Sequence, residues 1–163
     1  EAPEDFSLVL APHEIHEEHL RAIESGLKRP SIRLSEYDEA KGLPDGTACI
    51  IIDCFGLLSS VYRYGTWAYV GGGFGKSVHN TLEAAVYGIP VFFGPEIRKH
   101  REVRELVKRS SGFILHDRAE LSQLLQRFSS EEECKALEAR TRAYFSEECG
   151  ATAAILSDIL PSE

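Results

Sequence analysis

The chain alternates short apolar runs of strand length with longer stretches whose apolar residues recur three or four positions apart. Phe6 to Ala11 (FSLVLA) predicts a first strand that stops at Pro12. His16, Leu20, Ile23 and Leu27 then predict a helix, with Glu17 and Glu18 in its first turn and Gly26 near its end. Ser31 to Leu34 predicts a second strand, and LPDG at Leu43 to Gly46 a turn. Ala48 to Asp53 (ACIIID) is a continuous apolar run, the mark of a strand covered on both faces. Gly56 breaks it, and Leu57 to Tyr64 predicts a short helix. A fourth strand, Trp67 to Val70, gives way to Gly71, Gly72, Gly73 and Gly75, and then to a helix whose apolar face is Val78, Leu82, Ala85 and Val86. Gly88 and Pro90 end that helix, because glycine takes the left-handed cap and the residue before proline avoids the helical region. Val91 to Phe93 and Phe113 to Leu115 predict the fifth and sixth strands, on either side of a helix marked by Val103, Leu106 and Val107. Helical segments around Leu121 to Phe128, Glu132 to Phe145 and Thr152 to Leu160 close the chain.

Strand and helix alternate over six units with no repeat, linker or low-complexity tract. Parallel neighbours require crossover helices, so the expected class is α/β: a doubly wound, Rossmann-like parallel sheet. A single domain over residues 1–163 is expected, with C-terminal helices from about Glu131. In the usual 3-2-1-4-5-6 order the switch point lies between strands one and four. Their C-terminal ends, Pro12-His13 and the glycine loop, are then expected to face one crevice, with Asp53 to Gly56 and Gly94-Pro95 as its walls.

The glycine loop carries the candidate chemistry. Bare backbone N–H groups between a strand and a helix start suit a phosphate or carboxylate. Two better-known loops do not fit. Gly75-Lys76-Ser77 has the end of a Walker A motif, but Val70 stands where its first glycine belongs, and the dinucleotide pattern started at Gly71 and Gly73 meets Lys76 at its third glycine. A glycine turn that merely lets strand and helix pack is the plainer reading. Four glycines within five residues, followed by polar side chains, favour a ligand loop.

Charge narrows the partners: a net charge of -8 argues against a nucleic-acid binder working by phosphate neutralisation. No apolar run approaches the ~20 residues of a membrane span. The acidic start EAPEDF is unlike a signal peptide, so a soluble chain is expected. Cys49, Cys54, Cys134 and Cys149 have no C-x-x-C spacing and no nearby histidine pair. Neither a zinc site nor a disulfide framework is indicated, and a reducing compartment is expected. The absence of methionine, even at position 1, reads as a piece of a longer protein.

VGGGFGKSVHNTLEAAVYGIPVFFGP, with IIDCFGLLSSVYRY upstream and APHE near the start, resembles the C-terminal domain of bacterial 3-deoxy-D-manno-octulosonic acid (Kdo) transferases of the Bacteroides-like branch. The resemblance covers about the whole chain. It implies the C-terminal, donor half of a GT-B glycosyltransferase, binding CMP-Kdo for inverting transfer of Kdo to a lipid A precursor in lipopolysaccharide synthesis, with no cofactor. It also implies an absent N-terminal half holding the acceptor site, the membrane association and the catalytic base, at the cytoplasmic face of the inner membrane. In this reading the fragment alone is inactive, its catalytic residues are unknown, and apolar surface around Phe145 to Leu160 is left uncovered.

Carried over by position, Gly73, Phe74, Gly75, His79, Asn80 and Glu83 match the family core, and Gly94, Pro95, Lys99 and Glu102 its second segment. The loop N–H groups then hold the CMP phosphate or the Kdo carboxylate, and Glu83 accepts from ribose hydroxyls with Asn80 beside it. Pro12 and His13 lie at the cytosine edge, Gly56, Leu57 and Leu58 start the opposite wall, and Lys99 meets an anion. Ser77 stands where glycine is expected and is open to an N-cap role. His100 and Val103 replace an expected phenylalanine and alanine, and His13 an arginine of other branches. His79 also reads as a plain surface or core histidine, and His13 and His16 as partners of the Glu14, Glu17, Glu18 cluster; their spacing indicates no metal site. A phosphate-loop NTPase or kinase-like domain and a non-catalytic nucleotide-sugar-binding module remain the alternatives.

Overall fold

The computed structural model describes residues 7–159. The chain divides into two compact units, Glu1–Ser60 and Val61–Glu163. In the first, the strands β1 (Leu8–Leu10), β2 (Ser31–Arg33) and β3 (Cys49–Ile51) form a parallel sheet in the order β1-β3-β2, with Leu8 and Ser31 both opposite Cys49. Phe6, the start of the first predicted strand, lies outside the described residues.

The expected order, with β2 in the middle, gives way to one with β3 there. Burial explains the exchange. A central strand has both edges bonded and is covered by what packs on the sheet, and Cys49 and Ile51 are buried at 3% and 0% exposure. Ser31 and Arg33 are polar and half-buried, which suits an edge.

One helix, α1 (Glu17–Gly26), covers this sheet through Leu20, which packs with Cys49 and Ile51. That core is small, and a charged network ties helix to strand beside it. The half-buried Arg33 guanidinium donates from Nε to Glu24 and from Nη1 to Glu17, each at 2.6 Å, and Glu17 also accepts from Arg21 at 2.6 Å. Arg33 first, and Arg21 after it, lower the Glu17 carboxyl from the ordinary 4.5 to about 2. Arg33 likewise lowers Glu24.

The division between units falls inside α2 (Leu58–Val61), which runs into a 3-10 turn at Tyr62–Tyr64. The second unit holds β4 (Ala68–Tyr69), β5 (Val91–Phe93) and β6 (Gly112–Ile114), parallel and in the expected order β4-β5-β6. Around them run α3 (Leu82–Ala85), α4 (Arg101–Lys108), α5 (Arg118–Arg127), α6 (Glu131–Glu148) and α7 (Ala151–Ile159).

The centre of this unit is β5, whose three residues are all at 0% exposure. Successive side chains point to opposite faces. Val91 and Phe93 join Ala84 and Ala85 of α3, Val103 and Leu106 of α4 and Tyr144 of α6. Phe92 joins Leu115, Phe128 and Leu137 on the other side, with Trp67 and Phe113 against them. Burying one such phenylalanine contributes about 1.5–3 kcal/mol. Because Leu137 and Tyr144 serve different faces, α6 belongs to both layers. Its first turn is set by Ser130, which accepts from the Glu133 amide, and that of α5 by Asp117, which accepts from the Glu120 amide at 2.9 Å. On α7, Ile155, Leu156 and Ile159 are left exposed, while Phe145 of α6 is half-buried against the core.

One backbone contact joins the loop after β4 to the loop after β5. A Cβ on Gly73 would lie 2.7 Å from the Gly94 backbone, and one on Gly94 would lie 2.5 Å from Gly73. The Glu96 amide closes the junction by donating to the Gly73 carbonyl at 2.9 Å.

Gly94 has no left-handed φ, so Gly94→Ala tests the close approach. It is expected to destabilise the chain by about 1–3 kcal/mol, read from urea unfolding midpoints. Gly26→Ala, at a helix end with nothing within 4 Å, is expected to be neutral or stabilising. Similar losses in both variants would refute the contact.

The Arg33 network predicts a pH effect. A carboxyl lowered by folding adds stability that is complete above its unfolded pKa and is lost as pH falls through the folded one. Between about pH 5 and pH 2 the wild type is therefore expected to lose stability more steeply than Arg33→Met, in which the two carboxyls return toward ordinary values. Equal slopes in urea melts across that window would contradict it.

Candidate functional site

Three glycines of the loop after β4 have left-handed dihedrals: Gly72 (φ 87°), Gly73 (φ 82°) and Gly75 (φ 85°). They let the chain fold back on itself. The Gly73 amide donates to the Lys76 carbonyl at 2.7 Å, and the His79 amide to Gly71 at 3.1 Å. A side chain on Gly72 would run into the Ser77 carbonyl, whereas one on Gly75 would meet nothing within 4 Å. Gly72 and Gly73 are thus required by space as well as by φ, and Gly75 by φ alone. The amides of Phe74, Gly75, Lys76 and Ser77 donate to no protein acceptor among the described residues. Four N–H groups stay available in one tight turn, flanked by the exposed Phe74 and Lys76 side chains.

The helix expected directly after the loop starts later. α3 covers only Leu82–Ala85, with Thr81 at its N-cap, so His79 and Asn80 precede the helix and Glu83 falls in its first turn. The Asn80 side chain provides the reason: its Oδ1 accepts from the Leu82 amide at 3.1 Å, a local bond that competes with helical pairing. Val78 is buried in the core as a plug under the loop. Any anion held here meets loop amides, without the dipole of a long helix.

The same Asn80 donates from Nδ2 to Glu83 Oε1 at 2.9 Å, which fixes the carboxylate that the sequence singled out. Burial, and then the charge of Glu83, push the Tyr62 phenol up. Lys99 is exposed on the connection from β5 to α4, near the Glu96–Arg98 pair, in which Arg98 lowers the Glu96 carboxyl.

Ser77 takes no N-cap role. Its Oγ lies 2.6 Å from His100 Nε2, and His100 Nδ1 lies 3.0 Å from Glu102 Oε1. Sequence reading noted Ser77 and His100 separately and had no signal that they meet.

In the first unit, the loops after β1 and β3 leave the same end of the sheet, since these strands are parallel neighbours. One carries Pro12, half-buried, and His13, exposed; the other carries Gly56 (φ 90°), Leu57 and Leu58, all exposed. At the foot of the second loop, Asp53 accepts from the amide and hydroxyl of Ser35. Burial opposes ionisation of Asp53, but these bonds outweigh it and lower its pKa.

Glu14, His16 and His19 bring three potential metal-ligand atoms within 4.8 Å of one another, a grouping missed because His19 was not counted. Two of those rings already close the start of α1. His16 Nδ1 accepts from the His19 amide at 3.2 Å, and His19 Nδ1 donates to the Glu14 carbonyl at 2.8 Å. All four cysteines are free thiols.

No family model matches the chain. It is similar to the 3-deoxy-D-manno-octulosonic acid transferase of Aquifex aeolicus, with 32% identity over 136 residues, which is 82% of this chain and 36% of that protein. To the enzyme of the same name from Chlamydia muridarum it is 28% identical over 122 residues, 71% of this chain and 26% of that protein. The chain thus spans about a third or less of the length of the curated relatives it matches. Among solved structures its fold is like that of the C-terminal CMP-Kdo binding domain of WaaA from Acinetobacter baumannii, with a TM-score of 0.73 and 20% identity over 86% of this chain and 74% of that one. The mixed α/β architecture with parallel sheets is that of a GT-B C-terminal domain, and the chain is a homologue of part of the 3-deoxy-D-manno-octulosonic acid transferases.

Proposed function

We propose that the chain is the donor-binding part of a Kdo transferase and holds CMP-Kdo while the sugar passes, with inversion, to a hydroxyl of a lipid A precursor. The observation that carries this reading is the loop Gly71 to Ser77, whose free amides are held in place by the Gly73–Gly94 contact in a homologue of such enzymes. As the bond from the sugar to the phosphate breaks, negative charge grows on the departing CMP. Amides already aimed at that charge stabilise it without rearranging. Glu83, steadied by Asn80, takes the ribose hydroxyls, and Lys99 adds positive charge for the phosphate or the Kdo carboxylate. The reading also assigns Pro12 and His13 to the cytosine edge and Gly56, Leu57 and Leu58 to the donor.

The acceptor, the base that deprotonates it and the association with the inner membrane's cytoplasmic face belong, in this proposal, to the remaining two thirds of a protein of the relatives' length. Among the described residues no helix is long and apolar enough to cross a membrane. The chain by itself is expected to bind CMP weakly and to transfer no Kdo. Transfer by this chain alone would show that it carries the base.

Lys76 and Glu83 separate this reading from a phosphate-loop NTPase. In a Walker loop the lysine reaches the phosphates and its loss destroys nucleotide binding. Here Lys76 is exposed, and the amides do the holding. Lys76→Ala is expected to leave CMP affinity within about threefold, while Glu83→Ala, which removes a charged acceptor worth about 1.5–3 kcal/mol, weakens it by about tenfold or more. The measurement is calorimetric or NMR titration of both variants. The reverse ranking, with Glu83→Ala folded and binding normally, would replace the transferase reading by the phosphate-loop one.

A further inference from the structure

Ser77, His100 and Glu102 form a chain of hydrogen bonds that ends in the glycine loop. Glu102 Oε1 lies 3.0 Å from His100 Nδ1, and His100 Nε2 lies 2.6 Å from Ser77 Oγ. An ionised carboxylate only accepts, so the proton between Glu102 and His100 sits on Nδ1. Two arrangements remain for the other end. A neutral His100 accepts a hydrogen bond from the Ser77 hydroxyl, and Ser77 then presents only lone pairs to a ligand. A protonated His100 donates to Ser77 Oγ, and the Ser77 hydrogen is released toward an acceptor of its own.

An oxyanion beside Ser77 distinguishes these arrangements. It is repelled by the lone pairs of the first and accepts a hydrogen bond from the second. The loop that carries Ser77 is where such a group finds donors, since the amides of Phe74, Gly75, Lys76 and Ser77 have no acceptor among the described residues. Ser77 is exposed, and the His100 side chain keeps 28% of its surface open. His100 is the N-cap of α4 and contacts Glu102 of that helix's first turn; Lys99 and Arg101 flank it in sequence, and Arg101 pairs with Glu148 of α6 at 3.3 Å. Glu102 is the carboxylate that touches the imidazole, at Nδ1, which leaves Nε2 facing Ser77.

We propose that Ser77 is a side-chain hydrogen-bond donor to the oxyanion of the nucleotide-sugar donor at this loop, and that His100, braced by Glu102, is the positioning residue that turns the hydroxyl outward. The proposal rests on the donor-binding reading above. It adds a side-chain O–H donor to the backbone amides, and its bond to an oxyanion is charge-assisted as theirs are. The shared ligand chemistry is an oxyanion, whether the nucleotide phosphate or the carboxylate of the sugar acid.

The test is an NMR titration of the whole chain with cytidine, CMP and CMP-Kdo, which reads affinities into the millimolar range. Ser77→Ala, or Ser77→Gly should alanine disturb the fold, is expected to weaken CMP by about tenfold and leave cytidine unchanged if the phosphate is the partner. If the carboxylate is the partner, CMP stays unchanged and CMP-Kdo weakens instead. His100→Phe is expected to reproduce the loss, the double variant to add nothing to either single change, and His100→Gln, whose amide can donate to Ser77, to recover part of it. In the wild type, the imidazole nitrogen signals of His100 are expected to move to the doubly protonated form as the anion is added. Unchanged affinity for all three ligands in the Ser77 variants overturns the proposal, and so does an equal loss for cytidine. So does covalent capture of Ser77 by a fluorophosphonate in a His100-dependent manner, which would make the serine a nucleophile. Failure of the wild type to bind CMP or CMP-Kdo would remove the donor-binding reading itself, a result separate from wild-type binding that Ser77 does not influence.

Discussion

The arrangement of the second unit depends on two glycines that touch. Gly73 and Gly94 approach so closely that neither position has room for a methyl group. Their contact locks the turn after β4 to the turn after β5, and the Glu96 amide completes the lock. The constraint works because β4 and β5 are parallel neighbours, so both turns leave the same end of the sheet. Everything placed at that end follows from it: the free amides, the buried Val78 beneath them, the Asn80–Glu83 pair, and the meeting of Ser77 with His100.

Behind the loops stands a strand with no exposed face. Val91, Phe92 and Phe93 each pack into one of two apolar layers, and α6 reaches both. A turn anchored to such a strand moves little, because displacing it would open a core packed as densely as a crystal. The first unit is built differently. Its buried core cluster is Leu20, Cys49 and Ile51, and the ion network of Arg33 with Glu17 and Glu24 supplements that thin core.

The sequence was most legible where a single period ran uninterrupted. The segments of α4, α5 and α6 and the strand β5 lie close to where apolar spacing puts them, because their burial depends on local pattern. The order of β1, β2 and β3 was not legible in that way. Adjacency depends on which strand has the most to bury, and ACIIID, read as covered on both faces, held that clue. The start of α3 was misplaced for a related reason: Val78 fits the helical period but serves as a plug, and the Asn80 side chain takes over the turn. The glycine loop was conspicuous as a composition. Its partnership with His100 was not, since Ser77 and His100 lie 23 positions apart and meet only through the Gly73–Gly94 junction. His19 was passed over because its role depends on the Glu14 carbonyl folding back to its ring.

The left-handed glycines of the loop bear on how quickly a ligand comes and goes. A turn already closed by its own hydrogen bonds before anything binds loses little conformational freedom on binding. Association is then governed by shedding water from the anion and the four amides, with no folding step to wait for. Release is equally direct, since no lid has to be undone within this loop. A cradle that neither orders on binding nor opens for release suits a ligand that comes and goes repeatedly.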